Sequence, residues 1–206
     1  VNHRPGANEG CMRKAWISSC GTELTLGQTV DTNAAWLAGE LAALGIRCVR
    51  HVTVPDDAAA LCEVVLQATA ACEVVLISGG LGPPEDDLTR EALAGAAGVP
   101  LELHPPSLEQ IRAFFAARGR EMPERNAVQA RSPRGAGALP NSCGTAPGIR
   151  LVVSGKFCYA LPGVPFEMRA MFAQSIAPEL RAANAGGVLL SRQLHTFGLG
   201  ESDSVG

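Results

Sequence analysis

Residues 79–89 read GGLGPPEDDLT and place two kinds of chemistry side by side. Gly79, Gly80 and Gly82 let backbone N–H groups come close to an anion, and a helix starting just beyond them adds the positive end of its dipole. Asp86 and Asp87 stand at the start of that helix. One of them can cap it, because a carboxylate there satisfies free N–H groups and complements the macrodipole. The pair can equally recruit a divalent cation, since Mg²⁺ typically takes one or two carboxylates together with phosphate oxygens. Spacing alone leaves both roles open. The stretch has neither the GxGxxG order of a dinucleotide fold nor the Gly-Lys-Ser/Thr of a Walker A loop.

Other loops carry residues that a plain connection does not require. CGTELTLGQTVDTN (20–33) supplies Gly21, the carboxylate of Glu23, the hydroxyls of Thr22, Thr25 and Thr29, and then Asp31, Thr32 and Asn33. Asp31 or Thr32 reads as a helix cap, but a cap does not account for so long a loop. VPDD (54–57) puts Asp56 where a strand gives way to a helix, either as its cap or as a site residue. GTAPG (144–148) and LPGVPFEM (161–168) contain Gly144, Thr145, Gly148 and Gly163, with Glu167 in the first turn of a helix. Rigid turn chemistry is the plain reading of both.

The elements around these loops determine whether they can meet. AWISS (15–19) is an apolar run and reads as a strand. From Asp31 the pattern turns helical, with Leu37, Leu41 and Leu44 on one face and Gly45 as the stop. Residues 46–54 alternate as a strand. A second helix then presents Leu61, Val65 and Ala68, and residues 73–78 form an apolar run suited to a strand buried on both faces. This β-α-β-α-β-α order predicts a parallel sheet with helices on both sides. Further on, a helix from Ser107 should turn Leu108, Ile111 and Phe115 inward, with a short helix at 123–131. Strands at 149–153 and 157–161 flank a Ser-Gly turn and form a hairpin. A helix follows, opened by Pro165, and a last strand at 188–200. In such a sheet ligands bind outside the carboxyl ends of the strands, which is where these loops fall.

Composition narrows the class. The chain has 206 residues, 47% hydrophobic and 18% charged, enough for one domain with a substantial core. A net charge of −3 argues against a nucleic-acid binder that works by bulk electrostatics. No apolar stretch is long enough for a membrane helix, and residues 1–11 lack the apolar core of a signal peptide. The 7 cysteines include no CxxC pair, and Cys48, Cys62 and Cys72 sit among apolar residues as expected core positions. Reduced thiols and a cytoplasmic location are the expectation. The 4 histidines form no local zinc pattern.

Taken in order, GTEL (21–24), DTN (31–33), GGLGPPEDDLT (79–89), RNAVQA (125–130), GTAPG (144–148) and PGVPFEM (162–168) resemble the N-terminal domain of the CinA (competence/damage-inducible protein) family. The resemblance covers roughly residues 13–200 and extends to the wider molybdopterin-binding superfamily of MogA/MoaB type, which shares the VPDD and GG-x-G elements. It implies a three-layer α/β/α sandwich with a mostly parallel sheet and a small β-hairpin. It also implies one domain over 12–200, with 1–11 an irregular upstream extension. Residues 201–206 fall at the start of a following segment, where GLGES matches the family. There that family continues into a nicotinamide mononucleotide deamidase domain, whose activity is not expected of these residues.

The implied activity is hydrolysis of ADP-ribose to AMP and ribose 5-phosphate with a divalent metal ion (Mg, Mn or Co). In that reading Gly79, Gly80 and Gly82 cradle a phosphate, and Asp86 and Asp87 hold the metal, with Glu23 or Asp56 as added ligands. Asn33 and Thr145 bind sugar or phosphate, and Glu167 acts as a supporting acid or base. Gly21, Thr22, Gly144, Gly148 and Gly163 complete the ligand-binding set. A pterin ligand, as in the MogA/MoaB branch, is the alternative. A non-catalytic nucleotide-binding module is a third reading, because Pro84 stands where the family commonly has Thr and so removes a hydroxyl and a backbone donor. Neither nucleic acid nor membrane is an expected partner, whereas a homo-oligomer is.

Overall fold

The computed structural model describes residues 13–82 and 88–183. Pro84, Asp86, Asp87, the expected extension at 1–11, the expected strand at 188–200 and the segment 201–206 lie outside these residues.

The alternating first half folds as its pattern predicts. Strand β1 (Lys14–Cys20) leads through a short helix α1 (Thr22–Thr25) into α2 (Thr32–Ala43), then β2 (Arg47–Val54), α3 (Ala58–Ala71), β3 (Val74–Ser78) and α4 (Leu88–Ala97). Asp31 caps α2, its Oδ1 accepting from the Ala34 N–H at 2.9 Å. All five residues of β3 are buried, as a strand covered on both faces requires.

The second half supplies β7 (Gly148–Val153) and β8 (Lys156–Leu161), joined by Ser154 and Gly155. Both turn residues have positive φ, 50° and 75°, the conformation a tight hairpin needs to match strand twist. This hairpin does not stand apart. β8 pairs with β3 in parallel, and the sheet order is β2-β1-β3-β8-β7-β6, where β6 is Gly137–Leu139. β2, β1, β3 and β8 run parallel, and β7 and β6 are antiparallel additions at one edge.

Helices cover both faces and make three layers. On one face Trp16, Val75, Ile77 and Ala160 pack with Leu61 and Val65 of α3 and Leu93 of α4. On the other, Ile17, Leu76 and Tyr159 pack with Leu37 and Leu41 of α2. The same layer holds Met168 and Phe172 from α6 (Pro165–Met171) and the π-helical turn that follows it (Phe172–Ile176), and Leu180 from α7 (Ala177–Ala183). Leu37 and Leu41 are fully buried, and each contributes about 1.5–3 kcal/mol by leaving water. Truncating either to alanine would cost about 2–5 kcal/mol with the cavity included.

A small two-stranded sheet, β4 (Leu101–Leu103) with β5 (Arg131–Pro133), carries α5 (Pro105–Ala116) and a 3-10 helix (Glu124–Ala130). Here two expectations fail. Of Leu108, Ile111 and Phe115 only Ile111 is buried, because α5 packs on the 3-10 helix rather than on the main sheet. Among the three expected core cysteines only Cys72 is buried. Cys48, on edge strand β2, and Cys62, on α3, are half-buried. No helix of the described residues is long and apolar enough to cross a membrane.

Candidate functional site

Where β1, β2, β3 and β8 end, their loops enclose a cavity of about 450 Å³. Its walls include the carboxylates of Glu23, Asp56 and Glu167. Gly21, Gly79, Gly80, Gly82, Thr145 and Gly163 line it as well. No lysine, arginine or histidine does so among the described residues.

The glycine turn after β3 is held by its neighbours. Gly79 has φ 102° and Gly80 φ 65°. A Cβ at Gly79 would land on the Cys20 carbonyl oxygen, and one at Gly80 on Thr89 Oγ1. Thr89 fastens the turn to α4: its Oγ1 donates to the Gly79 carbonyl at 2.9 Å and its N–H to the Gly80 carbonyl at 3.1 Å. The Gly79 N–H is used internally, donating to the Leu161 carbonyl at 3.0 Å. An anion over this turn would therefore meet the N–H groups of Gly80 to Gly82, not that of Gly79. The Gly21 N–H is likewise spent, on the Val54 carbonyl at 3.1 Å.

The tandem acids after β2 divide their roles. Asp57 caps α3, its Oδ1 accepting from the Ala60 N–H at 3.0 Å. Asp56 does not cap. Its Oδ2 accepts from the Thr22 N–H at 2.9 Å, and its own N–H donates to Thr22 Oγ1 at 3.1 Å. This reciprocal pair ties the loop after β1 to the end of β2 and sets the Asp56 carboxylate on the cavity wall. Thr22 itself does not line the cavity; it positions Asp56. The Cys20 thiol leans toward the same carboxylate, with Sγ 3.6 Å from Oδ1. Burial, and then the charge of Asp56, push that thiol up to about 12, so it stays protonated and is no nucleophile at neutral pH.

Glu167 is held by a residue the sequence reading passed over. Asn141 is 4% exposed, and its side chain makes four hydrogen bonds. Nδ2 donates to the Ala146 carbonyl at 2.9 Å and to Glu167 Oε2 at 2.6 Å. Oδ1 accepts from the N–H groups of Cys143 at 3.0 Å and Gly144 at 2.9 Å. One amide thus folds the GTAPG loop and aims the Glu167 carboxylate. Gly144 lies behind that carboxylate, and a Cβ there would collide with it. Gly144 therefore makes room for Glu167 and is not a wall of the cavity.

Two more expected ligand residues stand elsewhere. Gly148 lies buried within β7, where a Cβ would be 2.7 Å from Met171 Cε and 2.8 Å from the Ala160 carbonyl oxygen, so its role is packing. Asn33 lines a smaller adjoining chamber. Its Nδ2 bridges the Gly163 carbonyl at 2.8 Å and Ser78 Oγ at 3.0 Å.

Sequence reasoning also missed Gln129 and Arg90. Gln129, 3% exposed at the end of the 3-10 helix, reaches the cavity from the small sheet. Arg90 is 1% exposed in α4 and braces two loops, reaching the Leu81 carbonyl at 3.5 Å and the Pro147 carbonyl at 3.4 Å. A polar residue inside an otherwise amphipathic helix was the available signal for Arg90. Asn141 had none beyond its place before a Gly/Pro turn.

A metal ion would find hard oxygen donors around this cavity, which suit Mg²⁺ or Mn²⁺ better than a thiol-seeking ion. Among the described residues no three His, Cys, Asp or Glu side chains come together as a ready metal centre. Glu23, Asp56 and Glu167 alone do not compose one.

Comparison with known proteins places this geometry. Residues 16–182 match the family described as "Probable molybdopterin binding domain". A CinA-like protein of Thermomicrobium roseum is 46% identical over 188 residues, 91% of this chain and 46% of that protein. A CinA-like protein of Anaeromyxobacter is 43% identical over 186 residues, 90% of this chain and 45% of that one. The chain thus spans about half the length of these curated relatives. The crystal structure of CinA from Thermoplasma acidophilum, titled as of unknown function, superposes with a TM-score of 0.76 at 31% identity, covering 82% of this chain and 98% of that one. MoaB of Thermus thermophilus, titled a molybdopterin biosynthesis enzyme, superposes with a TM-score of 0.55 at 18% identity, over 87% of this chain and all of that one, a likeness of fold alone.

Proposed function

The chain belongs to the molybdopterin-binding domain family, among its CinA-like members, and from that premise we propose that its cavity binds a nucleotide diphosphate and hydrolyses it, with ADP-ribose giving AMP and ribose 5-phosphate. One observation carries this reading. Glu23, Asp56 and Glu167 meet the glycine turn in one cavity that has no cationic side chain among its described walls. Like charges repel strongly where water is sparse, so a diphosphate entering here needs a partner of opposite sign. Backbone N–H groups of the turn offer a partial one. A divalent cation would supply the rest, with Asp86 and Asp87 as its proposed ligands together with Glu23 or Asp56. When bound, such an ion neutralises phosphate charge and lowers the pKa of a water.

The chain's own residues account for the other parts. Gly79 and Gly80 let the turn pack against Cys20 and Thr89 without a side chain, and the N–H groups from Gly80 onward are the ones left to meet a phosphate. Thr22 holds Asp56 in place, and Asn141 holds Glu167. Glu167, bonded on one oxygen, keeps Oε1 to accept a proton from an attacking water. Gln129 and Thr145 offer polar contacts to the rest of the nucleotide. The cavity's size is within the range of about 300–1,000 Å³ typical of small-molecule sites.

A pterin ligand would use the same turn, and the relatives of MoaB type keep that reading available. The CinA-like loops at 144–148 and 162–168, which place Glu167 on the wall, favour the diphosphate.

The test is direct. The protein is incubated with ADP-ribose and Mg²⁺, Mn²⁺ or Co²⁺, and AMP is followed by chromatography. AMP should appear with at least one metal and fall at least tenfold in Asp86→Asn and Asp87→Asn. Nucleotide binding without AMP under any metal would reject hydrolysis and leave a binding module.

A further inference from the structure

Gln129 brings a free amide donor to the cavity wall. It is 3% exposed and lines the main cavity. Residues three apart lie above one another in a 3-10 helix, so Asn126 stands beside it, and Asn126 Nδ2 donates to Gln129 Oε1 at 3.4 Å. That bond fixes which end of the amide faces inward. Nε2 has no partner among the described residues, and it is not one of the side-chain atoms sealed from solvent. The carboxylates of Glu23, Asp56 and Glu167 on the same walls favour the N–H end in that direction. An unpartnered donor on so buried a residue is costly, and an acceptor entering the cavity would satisfy it.

The sheet order locates this donor. The loops that wall the cavity follow β2 (Asp56), β1 (Glu23), β3 (the glycine turn) and β8 (Glu167), and precede β7 (Thr145 and Ala146). At about 4.8 Å per strand they span roughly 19 Å of the sheet edge. Asp56 and Glu23 stand toward one end of that row, the glycine turn in the middle, and Thr145 and Ala146 at the other end. The small sheet approaches from the β7 end. β5, which begins two residues after Gln129, packs on α4, and α4 packs on β7, whereas α3 covers β1 and β2. The apolar walls Leu81 and Ala146 belong to the layer that also holds Ile149 of β7.

The middle of the row already has backbone donors for phosphate, in the N–H groups from Gly80 onward. The β7 end offers one amide donor, the Thr145 hydroxyl and two apolar side chains. A phosphate gains nothing from Leu81 and Ala146, whereas a nucleobase is an apolar plane edged with ring nitrogens that accept hydrogen bonds. Small-molecule sites are commonly built this way, with apolar walls and a few placed polar groups that fix orientation. Resting on the nucleotide-diphosphate reading, we infer that the β7 end of the cavity takes the nucleobase and that Gln129 Nε2 donates to an acceptor nitrogen of its ring. Gln129 is then a specificity residue that touches the ligand, and Asn126 sets its orientation.

AMP and ribose 5-phosphate share sugar and phosphate and differ in the base, so together they isolate its contribution without turnover. Isothermal titration of the full chain is carried out with each, at fixed Mn²⁺. The wild type should bind AMP about tenfold or more tightly than ribose 5-phosphate. Gln129→Ala should cut that preference about three- to tenfold, the worth of one hydrogen bond, and leave ribose 5-phosphate unchanged. Gln129→Met keeps the volume without the donor; it should lose the preference to the same degree while melting within about 3 °C of the wild type. Equal binding of both ligands by the wild type, or an unchanged preference in both variants, would overturn the assignment. So would an equal loss of both ligands in Gln129→Met, which would put this amide on the phosphate. Binding of neither ligand would overturn it together with the nucleotide reading. A base preference lost in Gln129→Met, with no AMP formed from ADP-ribose, leaves the base site standing and the hydrolase fallen; AMP formed with no base preference does the reverse.

Discussion

Asn141→Ala tests whether one buried amide builds half of the site. The substitution removes four hydrogen bonds: to Ala146, Glu167, Cys143 and Gly144. A typical bond is worth about 0.5–1.5 kcal/mol net, and one to a charged group somewhat more. Glu167 and Gly144 are half-buried, so part of the loss is recovered by hydration. The expected cost is about 2–4 kcal/mol, or about 5–12 °C in Tm for a chain of this size. Glu167 loses the donor that aims Oε2, so nucleotide affinity should fall with stability, and AMP formation should fall further than affinity. Glu167→Gln is the companion variant. It retains the shape and loses the charge, so it should melt within about 3 °C of the wild type yet share the loss of turnover. Thermal melts and titration with ADP-ribose read both effects. A Tm shift of under about 2 °C for Asn141→Ala, with unchanged affinity, would refute the claim that this amide organises the loop.

Other outcomes follow from the same geometry. Gly79→Ala should cost about 3 kcal/mol or more, whereas Gly155→Ala should cost only about 1 kcal/mol; chemical denaturation compares them. Both positions have positive φ, but only at Gly79 would a Cβ meet backbone. Cys20 and Cys158 are both pushed up to about 12 from an ordinary 9.0. A folded pKa above the unfolded one means this contribution is fully present below pH 9 and is lost as pH rises toward 12. Denaturation midpoints should therefore fall above pH 9, and less steeply in Cys20→Ala. Asp56→Asn removes a charge that holds the Cys20 proton, so alkylation of Cys20 at alkaline pH, followed by peptide mass spectrometry, should quicken; an unchanged rate would contradict the contact.

The sequence was most legible where a pattern repeats. Leu37 and Leu41 at helical spacing, the all-apolar run of β3 and the Asp31 cap each follow from a local rule that packing then reinforces. Three-residue strands such as β4, β5 and β6 are too short to carry a period, so the small sheet of β4 and β5 and the edge strand β6 were invisible. The hairpin was readable from Ser154-Gly155, but not the insertion of β8 beside β3, because pairing partners distant in sequence leave no local trace. The same limit governs the site. The loops could be named, since glycine and carboxylates after strands are local signals. Which of Asp56 and Asp57 caps the helix, and which faces the ligand, depended on Thr22, 34 residues away. Gly144 and Gly148 looked alike in the sequence, yet one makes room for Glu167 and the other packs against Met171.

The sheet order has a consequence for how the molecule comes into being. β8 lies between β3 and β7, yet it is made almost 80 residues after β3. Closing so long a loop slows folding. The cavity draws its walls from the ends of β1, β2 and β3 and also from residues 162–167. A nascent chain emerging from the ribosome would have the glycine turn and Asp56 early, but no enclosed site until the last third joined the sheet. Ligand can then stabilise only the finished molecule, by mass action on the native state. Occupancy of this pocket would report completed assembly, and fragments ending before β8 should show no nucleotide-dependent protection from proteolysis.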